Sequence, residues 1–254
     1  MIMKRALSFG PVAEDYEAYR PGYDRSLLEL IMNAADRPVQ TALEIGAGTG
    51  KATRAVAGAG IAVTATEPDP AMLQVLRREC AGLPVRSLQS TFEELAVDDL
   101  GTFDLLYAAA ALHWTEPEGR WDRAAALVRP GGLLAFFGGP TELADPETAK
   151  IEQEVTGPAL HTSAPPGPTE QVDGMQWPGH ELAADDRFTD VVEQRLRRLL
   201  DYDRDDYIAL LNTVSAFRQL AADVRETVFA ELQRRMPERV TVNADLMVHT
   251  ARRA

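Results

Sequence analysis

Short apolar runs alternate with stretches whose apolar residues recur every three or four positions, and the rhythm holds from Thr41 to Phe137. The runs at residues 41–45, 61–66, 85–88, 103–108 and 133–137 are the length of strands, and the first stops at glycines. Helical spacing covers residues 23–35, 49–59, 70–80 and 121–128. Asp24 and Asp69 stand where N-caps belong, and Pro70 opens its helix. Strands that alternate with helices and are apolar on both faces predict a parallel sheet covered on both sides. Ligands of such sheets sit at the carboxyl ends of the strands, so the residues just after each strand are the ones to search for chemistry.

The rhythm breaks after Gly139. Residues 145–155 read as a helix, and residues 156–179 as a long loop rich in proline (Pro158, Pro165, Pro166, Pro168, Pro178). A loop of that length is either a lid over a binding site or a tolerated surface insertion. Partial alternation predicts a strand at 191–199, helices follow at 203–220 and 224–235, and alternation returns at 240–249 for a last strand. Two late strands separated by helices imply a helical cap between them.

Composition narrows the function. The chain has 254 residues, enough for one sizeable α/β domain with a modest lid. A net charge of −13 repels phosphate backbones and anionic bilayers, which disfavours nucleic-acid and membrane partners. Cys80 is the single cysteine, so no internal disulfide and no cysteine-rich metal site can form. Neither a signal-peptide pattern nor a membrane-length apolar window occurs, and we expect a cytoplasmic protein, monomer or homodimer, that acts on a small molecule.

The strongest local signal is Leu43-Glu44-Ile45-Gly46-Ala47-Gly48-Thr49-Gly50, a strand running into alternate glycines and then a helix. Gly46 and Gly48 let the backbone turn sharply and a ligand approach. A dinucleotide fingerprint would need its third glycine at Lys51, so that spacing fails. Glu67, directly after the second strand, is placed to accept hydrogen bonds from two ribose hydroxyls; NAD and other adenosine cofactors use such a residue alike.

The spacing acidic-x-Gly-x-Gly-x-Gly resembles motif I of the class I S-adenosylmethionine (SAM)-dependent methyltransferases. Asp69-Pro70-Ala71-Met72-Leu73, Ser90-Thr91-Phe92-Glu93, Phe103-Asp104-Leu105-Leu106-Tyr107-Ala108 and Leu127-Val128-Arg129-Pro130-Gly131-Gly132 resemble later motifs of the type 11 and type 25 kind, in family order. Phe9-Gly10, Tyr16, Tyr19-Arg20-Pro21 and Tyr23 resemble the lead-in of the trans-aconitate-methyltransferase-like subgroup.

The resemblance implies a Rossmann-like, doubly wound, mostly parallel seven-stranded sheet. A helical cap or lid would be inserted after strand 5 and between the last two strands. It also implies one domain over residues 1–254, with an N-terminal arm at 1–38, a SAM-binding core at 39–140, lid insertions at 141–238 and a last strand at 239–254. Cofactor contacts carried over are Tyr16, Tyr19, Arg20, Glu44, Gly46, Ala47, Gly48, Glu67, Pro68, Met72, Thr91, Phe92 and Ala109. Glu44 would meet the cofactor's ammonium end, directly or through water, and Arg20 suits its carboxylate.

His113, at the carboxyl edge, is the candidate general base; the alternative is a packing role. Trp114, Trp177 and Arg218 are candidates for holding the acceptor, and His161 and His180 could line its pocket. No cofactor beyond SAM and no metal is implied. Methyl transfer to oxygen, nitrogen or carbon of a small molecule is the leading expectation. A SAM-binding cyclase that does not methylate and an NAD-dependent oxidoreductase are the rival readings.

Overall fold

A computed structural model describes residues 9–160 and 175–254. Backbone contacts divide them into two compact units. One comprises residues 22–138, 175–196 and 247–254; the other comprises residues 9–21, 139–160 and 197–246.

The larger unit is built on a seven-stranded sheet. Its strands are β1 (Thr41–Ile45), β2 (Ala62–Thr66), β3 (Val85–Leu88), β4 (Phe103–Ala109), β5 (Val128–Gly138), β7 (Phe188–Leu196) and β10 (Leu246–Arg253), in the order β3-β2-β1-β4-β5-β10-β7. The pairings β2–β3, β1–β2, β1–β4 and β4–β5 are parallel, and β10 runs antiparallel to β5. The expected seven-stranded, mostly parallel sheet is therefore the one observed. β4 is buried from Phe103 to Ala108, which is why its sequence reads as an unbroken apolar run.

Five helices belong to this unit: α2 (Arg25–Asn33), α3 (Lys51–Ala57), α4 (Pro70–Glu79), α5 (Val97–Leu100) and α6 (Arg120–Leu127). A further short one, α8 (Gly179–Ala183), precedes β7. The predicted caps hold. The Asp24 carboxylate accepts from the Leu27 N–H, and Asp69 accepts from the N–H groups of Ala71 and Met72 at 2.8 and 3.2 Å. The amino-terminal end of the parallel strands is pinned by Asp104. One of its oxygens accepts from the N–H groups of Gln40 and Thr41 and the Thr41 hydroxyl, and the other pairs with Arg129 at 2.8 Å.

The smaller unit packs α1 (Ala13–Tyr19), α7 (Pro146–Leu160), α9 (Arg204–Asn212), α10 (Ser215–Arg218) and α11 (Ala222–Arg235) with a three-stranded antiparallel sheet. That sheet is ordered β6 (Glu142–Leu143), β9 (Arg239–Asn243), β8 (Leu199–Asp203). Tyr207, Leu210, Leu232 and Val242 lie at its core.

Four sequence expectations change here. The predicted strand at 191–199 is two strands, β7 and β8, in different sheets. The predicted last strand at 240–249 is likewise split into β9 and β10, so the segment expected to be a purely helical cap contains a sheet. The helix at 203–220 is broken into α9 and α10. The helix at 145–155 extends to Leu160, through Pro158 in its last turn.

The two strand breaks meet each other. The Arg198 N–H donates to the Asp245 carboxylate at 2.8 Å, and the Ala244 N–H donates to the Arg198 carbonyl at 2.9 Å. Gly139 passes the same point: a Cβ there would stand 2.1 Å from the Asp245 carbonyl oxygen, so only glycine fits. Among the described residues no helix is long and apolar enough to cross a membrane.

Candidate functional site

β1 delivers Glu44 and then turns through Gly46, Gly48 and Gly50, all with left-handed φ (63°, 58° and 89°). A Cβ on Gly46 would come 2.7 Å from the Cβ of Ala111, so the glycine turn lies directly against the chain leaving β4. That chain is itself sharply bent: Ala110 has φ 50°, a left-handed conformation strained for alanine, and its N–H donates to the Phe137 carbonyl at 2.7 Å. Ala109, the last residue of β4, is half-buried beside it. Gly48 has more room, for its Cβ would sit 3.5 Å from the tip of the Met72 side chain. Ala47 is buried and donates its N–H to the Thr66 carbonyl.

Two carboxyl groups belong to this turn. Glu44 is completely buried. Its Oε2 accepts from the Thr53 hydroxyl at 2.6 Å and the Tyr107 hydroxyl at 2.8 Å, while its Oε1 is buried with no hydrogen-bond partner among the described residues. Burial pushes its pKa up to about 8 against the pull of those two hydroxyls, and the nearby Glu67 charge adds to the rise. Glu67, just beyond β2, accepts from the Gly48 N–H at 2.8 Å through Oε2 and from the Asp69 N–H at 2.9 Å through Oε1. Burial raises its pKa to about 7 although both backbone bonds favour the charged form. The donors that meet these carboxyls are hydroxyls and backbone amides, none of them cationic. The result is a glycine turn with two buried carboxyls at the carboxyl ends of β1 and β2.

The other expected contacts fall as follows. Pro68 is half-buried, and its carbonyl accepts from the Gln89 amide. Met72 is buried in the first turn of α4. Thr91 and Glu94 bond reciprocally, hydroxyl to N–H and carboxylate to N–H at 3.3 Å each, a capping box that turns the chain after β3. Phe92 is buried in the main core with the Arg123 guanidinium 5.8 Å from its ring centre.

His113 and Trp114 occupy the short 3₁₀ turn after β4, half-buried, with ring centres 4.7 Å apart. Trp177 packs against the same core as Trp114. The Arg120 guanidinium lies 5.3 Å from the Trp177 ring, and the Trp177 indole nitrogen is buried without a partner among the described residues. His180, in α8, has a buried and unpartnered Nδ1.

Tyr16, Tyr19, Arg20 and Arg218 belong to the smaller unit. Arg20 donates to the Thr213 hydroxyl and carbonyl at 2.8 and 3.0 Å and stacks on Tyr16 at 5.3 Å. The Tyr19 carbonyl accepts from the Tyr202 hydroxyl. Arg218 has a buried Nε without a partner, and burial beside Arg225 lowers its pKa. His161 and most of the proline-rich loop fall outside the described residues.

Sequence reasoning missed Tyr107, Thr53 and Arg120. A signal for Tyr107 existed: it is the one hydroxyl in the run Phe103–Ala109, and it is the register partner of Glu44 across β1–β4. Arg120 is buried and binds the Thr115 hydroxyl and carbonyl, both at 2.7 Å, which nothing in its local sequence announces.

Comparison with known proteins agrees with this geometry. A family model described as a methyltransferase domain matches residues 43–136. An uncharacterized methyltransferase of Mycobacterium tuberculosis is 40% identical over 132 residues, 52% of this chain and 51% of that protein. The match thus spans about half the length of that relative. An uncharacterized methyltransferase of Schizosaccharomyces pombe is 25% identical over 223 residues, 86% of this chain and 82% of that protein. A solved structure from Anaeromyxobacter dehalogenans, named as a candidate type II methyltransferase, has a TM-score of 0.66 at 23% identity, covering 92% of this chain and 98% of that one. At that identity the likeness speaks for the fold. Residues 43–136, with their glycine turn between two buried carboxyls, are the part of the chain that is similar to a methyltransferase domain.

Proposed function

We propose that the chain is a SAM-dependent methyltransferase that methylates a small molecule. The observation that carries the reading is the pair of buried carboxyls, Glu44 and Glu67, at the glycine turn. Buried acids met by neutral donors favour a ligand that brings positive charge and hydroxyl donors, and they repel a pyrophosphate. SAM brings an ammonium group, a sulfonium and two ribose hydroxyls, so the residues fit it. The orphaned Glu44 Oε1 lacks the donor that such a ligand has to offer. Lys51 at the place of a third glycine argues the same way against a dinucleotide.

Bound there, SAM supplies an electrophilic methyl group on a sulfonium. The chain's own part is to hold and to exclude. Glu67 accepts from the ribose hydroxyls with the lone pairs that Gly48 and Asp69 leave free. Gly46 and Gly48 let the main chain come close, and Met72 borders the cradle. His113, at the carboxyl edge, takes the acceptor's proton when the acceptor has one to lose, and Trp114 beside it keeps water out. The net charge of −13 supports a small acceptor over a nucleic acid.

Thermal shift with SAM, S-adenosylhomocysteine and NADH tests the cofactor. Stabilisation by the two adenosyl ligands is expected, and stabilisation by NADH alone would sink the reading. Formation of S-adenosylhomocysteine with a panel of small acceptors then tests methyl transfer. Under the same conditions His113→Ala is expected to keep SAM affinity and lose turnover.

A further inference from the structure

Glu44 differs from Glu67 in how it is held. Its two oxygens are unequal: Oε2 takes both available hydroxyl donors, and Oε1 takes none. The two donors come from different elements, both later in the sequence. Thr53 is on α3, nine residues after the acid, and Tyr107 is on β4, in register with it. Tyr107 is completely buried, and its ring lies stacked on Phe137, 6.3 Å between centres and 8° from parallel. A phenol hydroxyl has no need of a carboxylate to satisfy it in a core; a phenylalanine would fill the same volume. Two hydroxyls spent on one oxygen fix the plane of the carboxyl and reserve the other oxygen.

We propose that Tyr107 and Thr53 are positioning residues that hold Glu44 Oε2, so that Oε1 is kept for the ammonium group of the cofactor's amino-acid end, directly or through one water. The inference rests on the SAM site proposed above. Both hydroxyls favour the ionised form of Glu44, while burial and Glu67 oppose it. The titratable groups around the network are Glu67 beyond β2 and Cys80 at the end of α4. Removing either hydroxyl leaves Glu44 more reluctant to carry the charge that an ammonium requires. The adenosine end of the ligand, which meets other residues, does not register the change.

The test compares S-adenosylhomocysteine with 5′-methylthioadenosine, which keeps the adenosine and sulfur but lacks the amino-acid end. Calorimetric titration of the full chain gives both affinities for the wild type, Tyr107→Phe, Thr53→Val and Thr53→Ser. The inference expects Tyr107→Phe and Thr53→Val each to weaken S-adenosylhomocysteine by about tenfold and 5′-methylthioadenosine by less than about twofold. Thr53→Ser, which restores the hydroxyl, is expected to bind like the wild type. An unchanged S-adenosylhomocysteine affinity, or an equal loss for both ligands, overturns the positioning role and leaves the SAM site standing. A wild type that binds neither ligand overturns the site and the inference together. Thr53→Val lies on a different element from Tyr107→Phe, so a folding failure in one variant leaves the other to decide.

Discussion

Cofactor affinity should climb with pH through neutrality, and Glu67 sets the size of the effect. Its pKa of about 7 in the unliganded fold leaves the carboxyl about one-tenth ionised at pH 6 and about nine-tenths ionised at pH 8. A ribose diol donates two hydrogen bonds, and only the carboxylate can accept both on equal terms. If binding selects the carboxylate, Glu67 alone raises the affinity for S-adenosylhomocysteine by about tenfold between those pH values. Glu44, whose pKa is about 8, steepens the rise further at the upper end. Calorimetric titrations in two buffers of different ionisation enthalpy count the protons released on binding. At pH 6 close to one proton or more per ligand is expected, falling as the pH passes 8. Glu67→Gln removes one titrating group and should flatten the profile as well as lower the affinity. Affinity that is independent of pH, or that falls with rising pH, would refute the reasoning. Folding obeys the opposite sign. The unfolded chain loses these protons near pH 4.5, whereas the unliganded fold keeps them to about 7 and 8, so its stability declines as pH rises across that window.

Glu44→Gln keeps an oxygen for both hydroxyls and removes the charge; it should raise the melting temperature at pH 8 more than at pH 5 while weakening S-adenosylhomocysteine binding. Gly46→Ala and Gly48→Ala share a left-handed backbone, which disfavours alanine by roughly 1–2 kcal/mol, but only the first drives a methyl group to 2.7 Å from Ala111. Urea unfolding should therefore show the larger loss for Gly46→Ala, and equal losses would contradict the packing. Asp104→Ala frees three donors and Arg129, for a loss of roughly 2–3 kcal/mol by urea unfolding. Burial works to raise the Asp104 pKa, but its hydrogen bonds to Gln40 and Thr41 and the Arg129 charge hold it below its ordinary value of 3.8, so its contribution is present above that pH and fades as acid protonates it; the Asp104→Ala deficit should shrink as the pH falls below 3.8.

The parts of the site that could be read from sequence are those made by neighbours in the chain. The glycine turn follows its strand directly, Asp69 caps the helix that starts one residue later, and Glu67 stands one residue past β2. Each depends on backbone geometry over a few residues, which residue type and spacing report well. The partners of Glu44 could not be read so. Tyr107 is 63 residues away and reaches the acid only because β1 and β4 pair at that register.

The sequence by itself determined the five strands and the longer helices between residues 23 and 137, the turn, and the acids beside it; the helices Ala13–Tyr19 and Val97–Leu100 emerge only in the structure. Hydrophobic period and turn chemistry are local, and the parallel core leaves them little freedom. Tertiary structure alone decided which sheet each late strand joins. A period of two tells that a segment is extended, not where it pairs, so the strands read at residues 191–199 and 240–249 each turn out to be parts of two. The break falls where Arg198, Asp245 and Gly139 crowd one point, a meeting of three distant segments. The pairing of β1 with β4 likewise turns Glu44 from an acid in a motif into a carboxyl with one oxygen held by Tyr107 and Thr53 and the other without a partner among the described residues.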